Sequence, residues 1–204
     1  MDKNTNPAPL VERFSKYIKI DSVLDIGCGD GRDAVFLARK GFKVTAIDTR
    51  QKAIDAAKEL AKNNGVTVNF LLKDVREYVF PKNHYQAIIA LNSLFFLRKK
   101  DFYAAINNIK KSLASGGIAI ISSFTINDSM FDKIRAENEK VGKGEFKSGD
   151  EQHFWYFLEH NELSRFFDDF EILFHKETLT QDIGHPGWPE PHNHAVARIV
   201  IKKN

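Results

Sequence analysis

At 204 residues the chain is long enough for one α/β domain with a full core and short for two. Its composition, 43% hydrophobic and 28% charged, excludes a disordered chain, and a net charge of +3 without a long basic tract argues against nucleic-acid binding. The single cysteine, Cys28, excludes an intrachain disulfide and any zinc site built on paired cysteines. No apolar run has the length of a signal-peptide core or a bilayer span, so we expect a cytoplasmic monomer or homodimer without a membrane partner.

From residue 10 to residue 124, short apolar strands alternate with amphipathic helices. Residues 1–9 are polar and contain two prolines, which predicts a flexible lead-in before a helix near residues 10–18. Strands are then predicted at 22–27, 42–48, 66–74, 85–97 and 117–124, with helices at 32–41, 51–65 and 100–117. Strands separated by such helices form right-handed βαβ crossovers and a doubly wound sheet.

The pattern changes after residue 124. Residues 125–153 are polar, glycine-punctuated and too long for a tight connection, which predicts a lid-like insertion with some helix or a mobile loop. A helix is predicted at 158–170 and strands at 171–181 and 194–203. The segment DIGHPGWPEPHN between the last two strands has no room for a crossover helix, so these strands should be antiparallel neighbours.

The turn after the first strand has the sequence DIGCGDG, with Gly27, Gly29 and Gly31 at alternate positions. Glycine tolerates positive φ and allows a ligand to approach the backbone, while the helix that follows offers unpaired N–H groups. The spacing is not the dinucleotide pattern G-x-G-x-x-G, since Arg32 stands three positions after Gly29, and no G-K-[ST] of a phosphate loop follows. The sequence therefore predicts a nucleotide-like ligand of another kind.

Three acidic residues end the first three strands. Asp25 would repel a pyrophosphate but suits a cationic amino group, and Asp48 can accept both hydroxyls of a ribose. Asp74 can accept from an exocyclic adenine amine while the Val75 N–H donates to a ring nitrogen. Together with the glycine turn they describe a site for a nucleoside that carries an amino acid.

With these residues in place, VLDIGCGDG at 23–31 resembles the first motif of the class I S-adenosylmethionine-dependent methyltransferases, and the LASGG turn before strand five fits the same family. The resemblance implies one methyltransferase domain over residues 1–204, of α/β class, with a Rossmann-like, doubly wound seven-stranded mixed sheet and an antiparallel last strand. The implied cofactor is S-adenosyl-L-methionine. The residues expected to bind it are Asp25, Gly27, Cys28, Gly29, Gly31, Asp48, Thr49, Asp74, Val75, Leu91 and Asn92.

A narrower resemblance is to the tellurite-resistance branch of this superfamily and its small-molecule relatives. It is carried by GCGDGRDAVFLARKGFKVTAID, IIALNSLFFL, FLEHNELSRFFDDFEIL and GHPGWPEPHNHA. Asn92 is not followed by the two prolines of exocyclic-amine methylases, no acid cluster of catechol-type enzymes is present, and a nucleobase carbon methylase would need a cysteine outside the first motif. The acceptor is therefore expected to be another kind of small molecule. Cys28 itself is expected to pack behind the turn, because methyl transfer from a sulfonium needs no enzyme thiol.

The closing segment contains His185, His192 and His194, and the antiparallel arrangement places it on the cofactor side of the sheet. Three roles compete, ranked in this order: a set that binds the substrate or acts as a general base, a surface loop without special function, and a metal site with H-x-H ligands, so no metal is predicted. A thiol or hydroxyl acceptor would need a base, for which His192 or His194 is the candidate. A tellurite-like or selenite-like oxyanion would need cations, for which Arg32, Arg198 and protonated histidine are candidates. The alternative function is a non-catalytic sensor that binds S-adenosylmethionine or S-adenosylhomocysteine.

Overall fold

Seven strands form one mixed sheet in the computed structural model of the protein, which describes residues 6–19, 21–149, 153–183 and 189–204. The first elements are α1 (Pro9–Ser15), β1 (Ser22–Ile26), α2 (Arg32–Arg39), β2 (Lys43–Asp48), α3 (Gln51–Asn63), β3 (Asn69–Leu72), β4 (Tyr85–Leu91), α4 (Lys99–Ser112) and β5 (Leu113–Phe124). They are followed by α5 (Ser129–Glu137), β6 (Glu139–Gly142), β7 (Glu145–Lys147), β8 (Phe154–Tyr156), α6 (Glu162–Arg165), β9 (Glu171–Asp182) and β10 (His192–Lys202).

The strand order in the large sheet is β3-β2-β1-β4-β5-β10-β9. The first five are parallel, whereas β10 is antiparallel to both of its neighbours. The predicted seven-stranded mixed sheet is thus confirmed, including the antiparallel last pair. From β1 the strand order continues to β2 and β3 on one side, and from β4 it continues to β5 on the other side. Open α/β sheets bind ligands at such a reversal of strand order, so the carboxyl ends of β1 and β4 border the expected ligand crevice.

Helices cover both faces of the sheet. On one face α1, α2 and α3 contribute buried side chains such as Phe14, Leu37 and Ile54. On the other face Phe102 of α4 and Leu163 of α6 are fully buried. Each such side chain contributes roughly 1.5–3 kcal/mol when fully removed from water. No helix in the described part of the chain combines the length and the apolarity needed to cross a membrane.

A hydrogen bond connects the residue before α1 to the first turn of α2. The Ala8 N–H donates to the Asp33 carboxylate at 2.6 Å, and Pro9 begins α1, where its missing N–H is not needed. Burial is the main cause that raises the pKa of Asp33, and the Ala8 hydrogen bond opposes it. The flexible lead-in predicted for residues 1–9 falls partly on residues 1–5, which lie outside the described residues.

The boundary between α4 and β5 differs from the prediction. A helix to residue 117 is wrong, because α4 ends at Ser112 and the LASGG residues belong to β5. Leu113 already pairs with Tyr85 of β4, and the Gly116 N–H donates to the Lys203 carbonyl at 2.8 Å. Strand partners on both sides override the helical pattern, and a positive φ at Gly116 lets the chain bend without losing them.

The helix predicted at 158–170 is also wrong over most of its length, since only Glu162–Arg165 is helical in α6. The Leu158 N–H donates to the Phe124 carbonyl at 3.0 Å, and the Ile126 N–H donates to the Leu158 carbonyl at 3.0 Å. These two bonds hold the chain extended beside the end of β5, so a helix cannot begin there.

The insertion after β5 contains the helix α5 and a three-stranded antiparallel sheet in the order β6-β7-β8. Some helix was predicted between residues 125 and 153, but the small sheet was not. Its apolar face packs through Phe146 and Phe157 onto Phe95, which follows β4. The small sheet is therefore anchored to the end of a central strand, and its role as a lid remains a prediction.

Candidate active site

The glycine turn joins β1 to α2, and all three of its glycines have positive φ: +70° at Gly27, +57° at Gly29 and +82° at Gly31. A Cβ on Gly27 would lie 2.3 Å from the Ser93 Cβ, and one on Gly31 would lie 2.7 Å from the Ala57 Cβ. The first glycine thus lets the end of β4 approach the turn, and the third lets α3 approach it.

Gly29 is required for a different reason. A Cβ there would have only the Arg50 guanidinium within 4 Å, at 3.9 Å, so the space in front of its backbone is open. A cleft of about 660 Å³ opens at this point, within the size range of small-molecule sites. Its lining consists of Gly29, Asp30, Arg50, Gln51, Lys52 and Ala53.

Asp48 connects the end of β2 to this turn. One carboxylate oxygen accepts the Gly29 N–H at 2.9 Å, and the other accepts the Arg50 N–H at 2.9 Å and the Arg50 Nε at 3.2 Å. The Asp48 side chain is 6% exposed, whereas that of Arg50 is 72% exposed. The two backbone bonds therefore fix the carboxylate, while the exposed guanidinium can be displaced by a ligand that offers hydroxyl donors. The neighbouring Thr49 is exposed at the same edge.

Asp25 is buried at the end of β1, and its Oδ2 has no hydrogen-bond partner in the described part of the chain. Burial raises the pKa of this carboxyl well above its ordinary value, with Asp33 and Asp48 adding to the shift and Arg32 opposing it. An unsatisfied buried polar group costs about 1–3 kcal/mol, and more when charged. Such an acid, buried at the edge of the sheet where open α/β folds bind ligands, is a candidate to contact a cationic or hydrogen-bonding group of a ligand.

Asp74 follows β3 and makes a two-pronged ion pair with Arg76. Its oxygens accept the Arg76 N–H at 2.8 Å, Nε at 3.0 Å and Nη2 at 2.6 Å. These bonds lower the pKa of Asp74 and keep it ionised. Val75 beside it packs against the core, so its position is fixed.

The end of β4 is bound to both neighbouring strands. Asn92 has a positive φ of +51°, its N–H donates to the Ser122 carbonyl at 2.9 Å, and its Oδ1 accepts the Ser122 hydroxyl at 2.8 Å. The next residue, Ser93, is the one that contacts Gly27. Leu91 is half-buried in the core that lies under the turn. Asn92 is thus held at the end of β4 beside the glycine turn, and its partner Ser122 is a residue that the sequence did not indicate.

Cys28 lies behind the glycine turn, where its N–H donates to the Ile47 carbonyl at 3.0 Å. Burial is the main cause that raises the pKa of its thiol, and the nearby Asp25 adds to it. A buried thiol held in its neutral form is a poor nucleophile, which agrees with the packing role expected of it.

The predicted cationic residues lie on different elements. Arg32 begins α2 and is half-buried beside Asp25 and Asp33, where its charge partly opposes the rise that burial causes in the pKa values of both acids. Arg198 lies in the middle of β10, in register with Ser122 of β5, and donates a hydrogen bond to the Thr178 hydroxyl. Burial lowers the pKa of Arg198, and no carboxylate of the described residues lies within 4.0 Å of its guanidinium.

Two of the three predicted histidines lie together at the start of β10. Since β10 is antiparallel to β5, this start is at the same edge of the sheet as the carboxyl ends of the parallel strands. The Nε2 atoms of His192 and His194 are 3.0 Å apart, and the His194 ring centroid is 5.5 Å from that of Phe124 at the end of β5. His185 lies outside the described residues.

Asp128 supports the two histidines and was not predicted. It is buried at the N-cap of α5, where one oxygen accepts the Met130 N–H at 2.9 Å. The other oxygen accepts the Ala195 N–H at 2.8 Å and lies 3.2 Å from the His194 Nδ1. An aspartate before a short helix is an N-cap signal, but nothing in the sequence shows that it would reach β10.

Comparison with known sequences agrees with this geometry. A methyltransferase domain family matches residues 23–117. A ubiquinone biosynthesis O-methyltransferase from Rickettsia conorii is 38% identical over 122 residues, which is 58% of this chain and 41% of that protein. A probable S-adenosyl-L-methionine-dependent methyltransferase, TehB, from Haemophilus influenzae is 29% identical over 153 residues, 72% of this chain and 50% of that protein. The matched segments therefore span about half or less of these relatives' length.

Solved structures show the same fold over nearly the whole chain. The crystal structure of TehB from Haemophilus influenzae aligns with a TM-score of 0.75 at 20% identity, covering 97% of this chain and 62% of that one. A SAM-dependent methyltransferase from Methanosarcina mazei aligns with a TM-score of 0.75 at 19% identity, covering 97% and 98%. The predicted class I methyltransferase fold and the resemblance to that family are confirmed.

Proposed function

We propose that this protein binds S-adenosyl-L-methionine and transfers its methyl group to a small molecule, because a methyltransferase domain family matches residues 23–117. The observation that carries the proposal is the buried Asp25 carboxylate, whose Oδ2 has no partner among the described residues. It lies just before the glycine turn, where Gly29 leaves its backbone open. A buried acid beside an open glycine turn fits an amino-acid group carried on a nucleoside.

The ends of β1, β2 and β3 fit the three parts of this cofactor. Asp25 would hold the amino group of the methionine moiety, whose carboxylate would face the N–H groups at the start of α2. Asp48 would accept the ribose hydroxyls in place of Arg50. Asp74 and the Val75 N–H would bind the adenine edge. Thr49, Leu91, Asn92 and Cys28 complete the predicted set of cofactor residues.

The chain's own contribution to the reaction is chiefly positioning. When bound, S-adenosyl-L-methionine supplies a methyl group that is already activated by the sulfonium. Holding donor and acceptor in line can supply about 7–11 kcal/mol of the barrier. Asn92, which is hydrogen-bonded to Ser122, and Ser93, which contacts Gly27, hold the end of β4 beside the glycine turn. We expect residues 125–153 to cover the acceptor and exclude water.

The acceptor is a small molecule with an anionic or readily deprotonated group. His192 and His194 support a thiol or hydroxyl acceptor, because a base must remove its proton. Arg198 supports an oxyanion of the tellurite or selenite kind, because its half-buried guanidinium has no carboxylate partner in the described part of the chain. Both groups are on β10: the histidines lie beyond Phe124, the carboxyl end of β5, and Arg198 lies in register with Ser122 inside that strand.

A methyl-acceptor screen tests this function. The purified protein is incubated with S-adenosyl-L-methionine and tellurite, selenite, thiols or small hydroxylated metabolites, and release of S-adenosylhomocysteine is measured. We expect cofactor binding by calorimetry and turnover with at least one class. Cofactor binding without turnover across the screen would favour the sensor function, and no cofactor binding would overturn the proposal.

A further inference from the structure

A cluster of three potential metal ligands lies where β9 and β10 meet the edge of the sheet. It consists of Asp182, His192 and His194, with one ligand atom of each lying within 4.8 Å of the others. Asp182 ends β9 and is paired with His192 across the two strands. His192 is buried, and the other two are partly exposed, so the cluster has a rigid base and an open side.

The hydrogen bonds of the two imidazoles determine which ring nitrogens carry protons. His192 Nδ1 lies 2.8 Å from the Glu190 carbonyl oxygen, which can only accept a hydrogen bond. His194 Nδ1 lies 3.2 Å from an Asp128 oxygen, and both Asp128 oxygens accept backbone N–H groups. In both rings the proton is therefore on Nδ1.

The Nδ1 contacts orient both rings, and the two Nε2 atoms lie 3.0 Å apart. The ring centroids of His192 and His194 are 4.5 Å apart. If the two Nε2 atoms pointed straight at each other, the centroids would be further apart, so the rings meet at an angle. The interplanar angle between the two rings is 87°. A cation placed beside both nitrogens would be coordinated by two imidazoles at once.

We propose that His192 Nε2, His194 Nε2 and the Asp182 carboxylate bind a divalent zinc-class cation. Two imidazole nitrogens at about 2.0–2.1 Å from a tetrahedral Zn²⁺ are about 3.3 Å apart, so the present 3.0 Å needs only a small adjustment. Asp182 Oδ2 lies 4.0 Å from the His194 Nε2, and rotation of its partly exposed side chain brings it into range. Two imidazoles and one carboxylate form the ligand set of catalytic zinc sites that keep a fourth position open.

The surroundings of the two rings also match those of metal-binding histidines. In such sites the nitrogen away from the metal donates to a carboxylate or a backbone carbonyl, which fixes the ring and raises its basicity. His194 uses the Asp128 carboxylate and His192 uses the Glu190 carbonyl. A proton shared between the two Nε2 atoms is the competing explanation of their 3.0 Å separation, and zinc titration distinguishes the two.

The use of the cation rests on the proposed methyl transfer, although its binding does not. With the cation bound, His192 and His194 act as ligands and the cation replaces them as the activating group. An acceptor hydroxyl or thiol at the open position would then release its proton to solvent more readily, because a bound divalent cation lowers the pKa of such a group. The freed lone pair on oxygen or sulfur then forms the new bond to the methyl carbon. The bond from that carbon to the sulfonium breaks, and its electron pair stays on sulfur, which yields neutral S-adenosylhomocysteine.

Calorimetric titration of the chelator-treated full chain with ZnCl₂ tests the site, with equilibrium dialysis as a second measure. We expect about one tightly bound Zn²⁺ and at least a 10-fold weaker affinity in each of His192→Ala, His194→Ala and Asp182→Asn. His160→Ala is the matched control, since His160 also pairs with a carboxylate, that of Glu177 at 2.6 Å, but on the surface. Asp182→Asn changes one partly exposed group and keeps the test valid if a histidine variant fails to fold.

Zinc binding that is absent, or that survives in the His192 and His194 variants, overturns the site and leaves the shared proton as the explanation. Zinc binding that is lost only in His160→Ala overturns it as well. A protein that binds zinc through these residues but never binds S-adenosyl-L-methionine would refute the proposed function and leave the metal site standing. S-adenosylhomocysteine affinity, measured on the same variants, shows that each is folded.

Discussion

The Asp48 carboxylate accepts a hydrogen bond from the Gly29 N–H at 2.9 Å, so the end of β2 holds the middle of the glycine turn. The same carboxylate is the predicted ribose acceptor. One side chain thus shapes the turn and is also a predicted ligand contact, and its second oxygen accepts hydrogen bonds from Arg50 among the described residues.

Replacement of Asp48 should therefore weaken cofactor binding more than one lost contact would. For Asp48→Ala we expect the affinity for S-adenosyl-L-methionine to fall about 100-fold or more, because hydrogen bonds to a charged group contribute about 1.5–3 kcal/mol each. Isothermal titration calorimetry measures the change. Asp55→Ala, an exposed acid on α3, is the control. Equal affinities in wild type and Asp48→Ala would refute the ribose role.

Alanine at Gly27 and at Gly29 should have different effects. At Gly27 the Cβ would overlap the Ser93 side chain, so Gly27→Ala should lower the thermal unfolding temperature, and the double variant with Ser93→Gly should recover part of the loss. At Gly29 the Cβ meets open space, and only the positive φ costs about 1–2 kcal/mol. Gly29→Ala should thus remain folded while cofactor affinity drops. If both variants lose the same stability and Gly29→Ala still binds the cofactor, the separate roles of Gly27 in packing and Gly29 in ligand access are refuted.

Asp25→Asn should stabilise the ligand-free protein and abolish cofactor binding. The folded state raises the pKa of Asp25 above its ordinary 3.8, so the ionised acid destabilises the fold increasingly as pH rises above that value. Replacing it removes this penalty, and the gain relative to wild type should grow with pH from about 4 upward. Urea unfolding at several pH values measures it, with Asp30→Asn in the same turn as control. A variant that is less stable at neutral pH would contradict the assignment.

The carboxyl group of Glu162 should affect the pH dependence of stability in the opposite direction to that of Asp25. Burial raises the pKa of Glu162, but hydrogen bonds from Tyr156, the Glu159 N–H and Tyr103 outweigh it, and the pKa lies below its ordinary 4.5. This carboxylate therefore stabilises the fold above that value, and the contribution is lost as pH falls through the folded pKa.

In Glu162→Gln the unfolding free energy should be lower at neutral pH, by about 1–3 kcal/mol, and should fall less steeply below pH 4.5 than in wild type. Chemical denaturation between pH 3 and pH 7 makes the comparison. Tyr103→Phe removes one of the two tyrosine hydrogen bonds and should give an intermediate result. Parallel pH profiles of wild type and Glu162→Gln would show that this carboxylate does not carry the effect.

The sequence predicts a strand or helix correctly where its local hydrophobic pattern favours the same structure as the contacts in the folded protein. The strands that end at Asp25 and Asp48 are apolar runs that stop on an acid, and β1 and β2 begin and end within one residue of the prediction. Their placement at one edge of a parallel sheet follows from topology alone. The contacts of Asp25, Asp48 and Asp74 with the cofactor remain predictions.

The features that the sequence did not predict are set by contacts between residues that are far apart in the chain. Leu113 joins β5 and not α4 because Tyr85 lies opposite, and Leu158 is extended because it bridges to Thr125. Asp128 reaches His194 across more than sixty positions of the chain, and no local pattern encodes such a contact. The residues missed at the site are those whose partners are set by the folded sheet.

The hydrogen bond from the Ala8 N–H to Asp33 determines where an affinity tag can be attached without covering the ligand crevice. Asp33 is in the first turn of α2, next to the glycine turn, so a polypeptide fused upstream of Pro7 would emerge beside the ligand crevice. Lys203 is bonded to Gly117 at the opposite edge of the sheet. Affinity tags and immobilisation linkers placed after Asn204 should therefore leave the crevice accessible, whereas an upstream tag should depress measured cofactor affinity until it is cleaved.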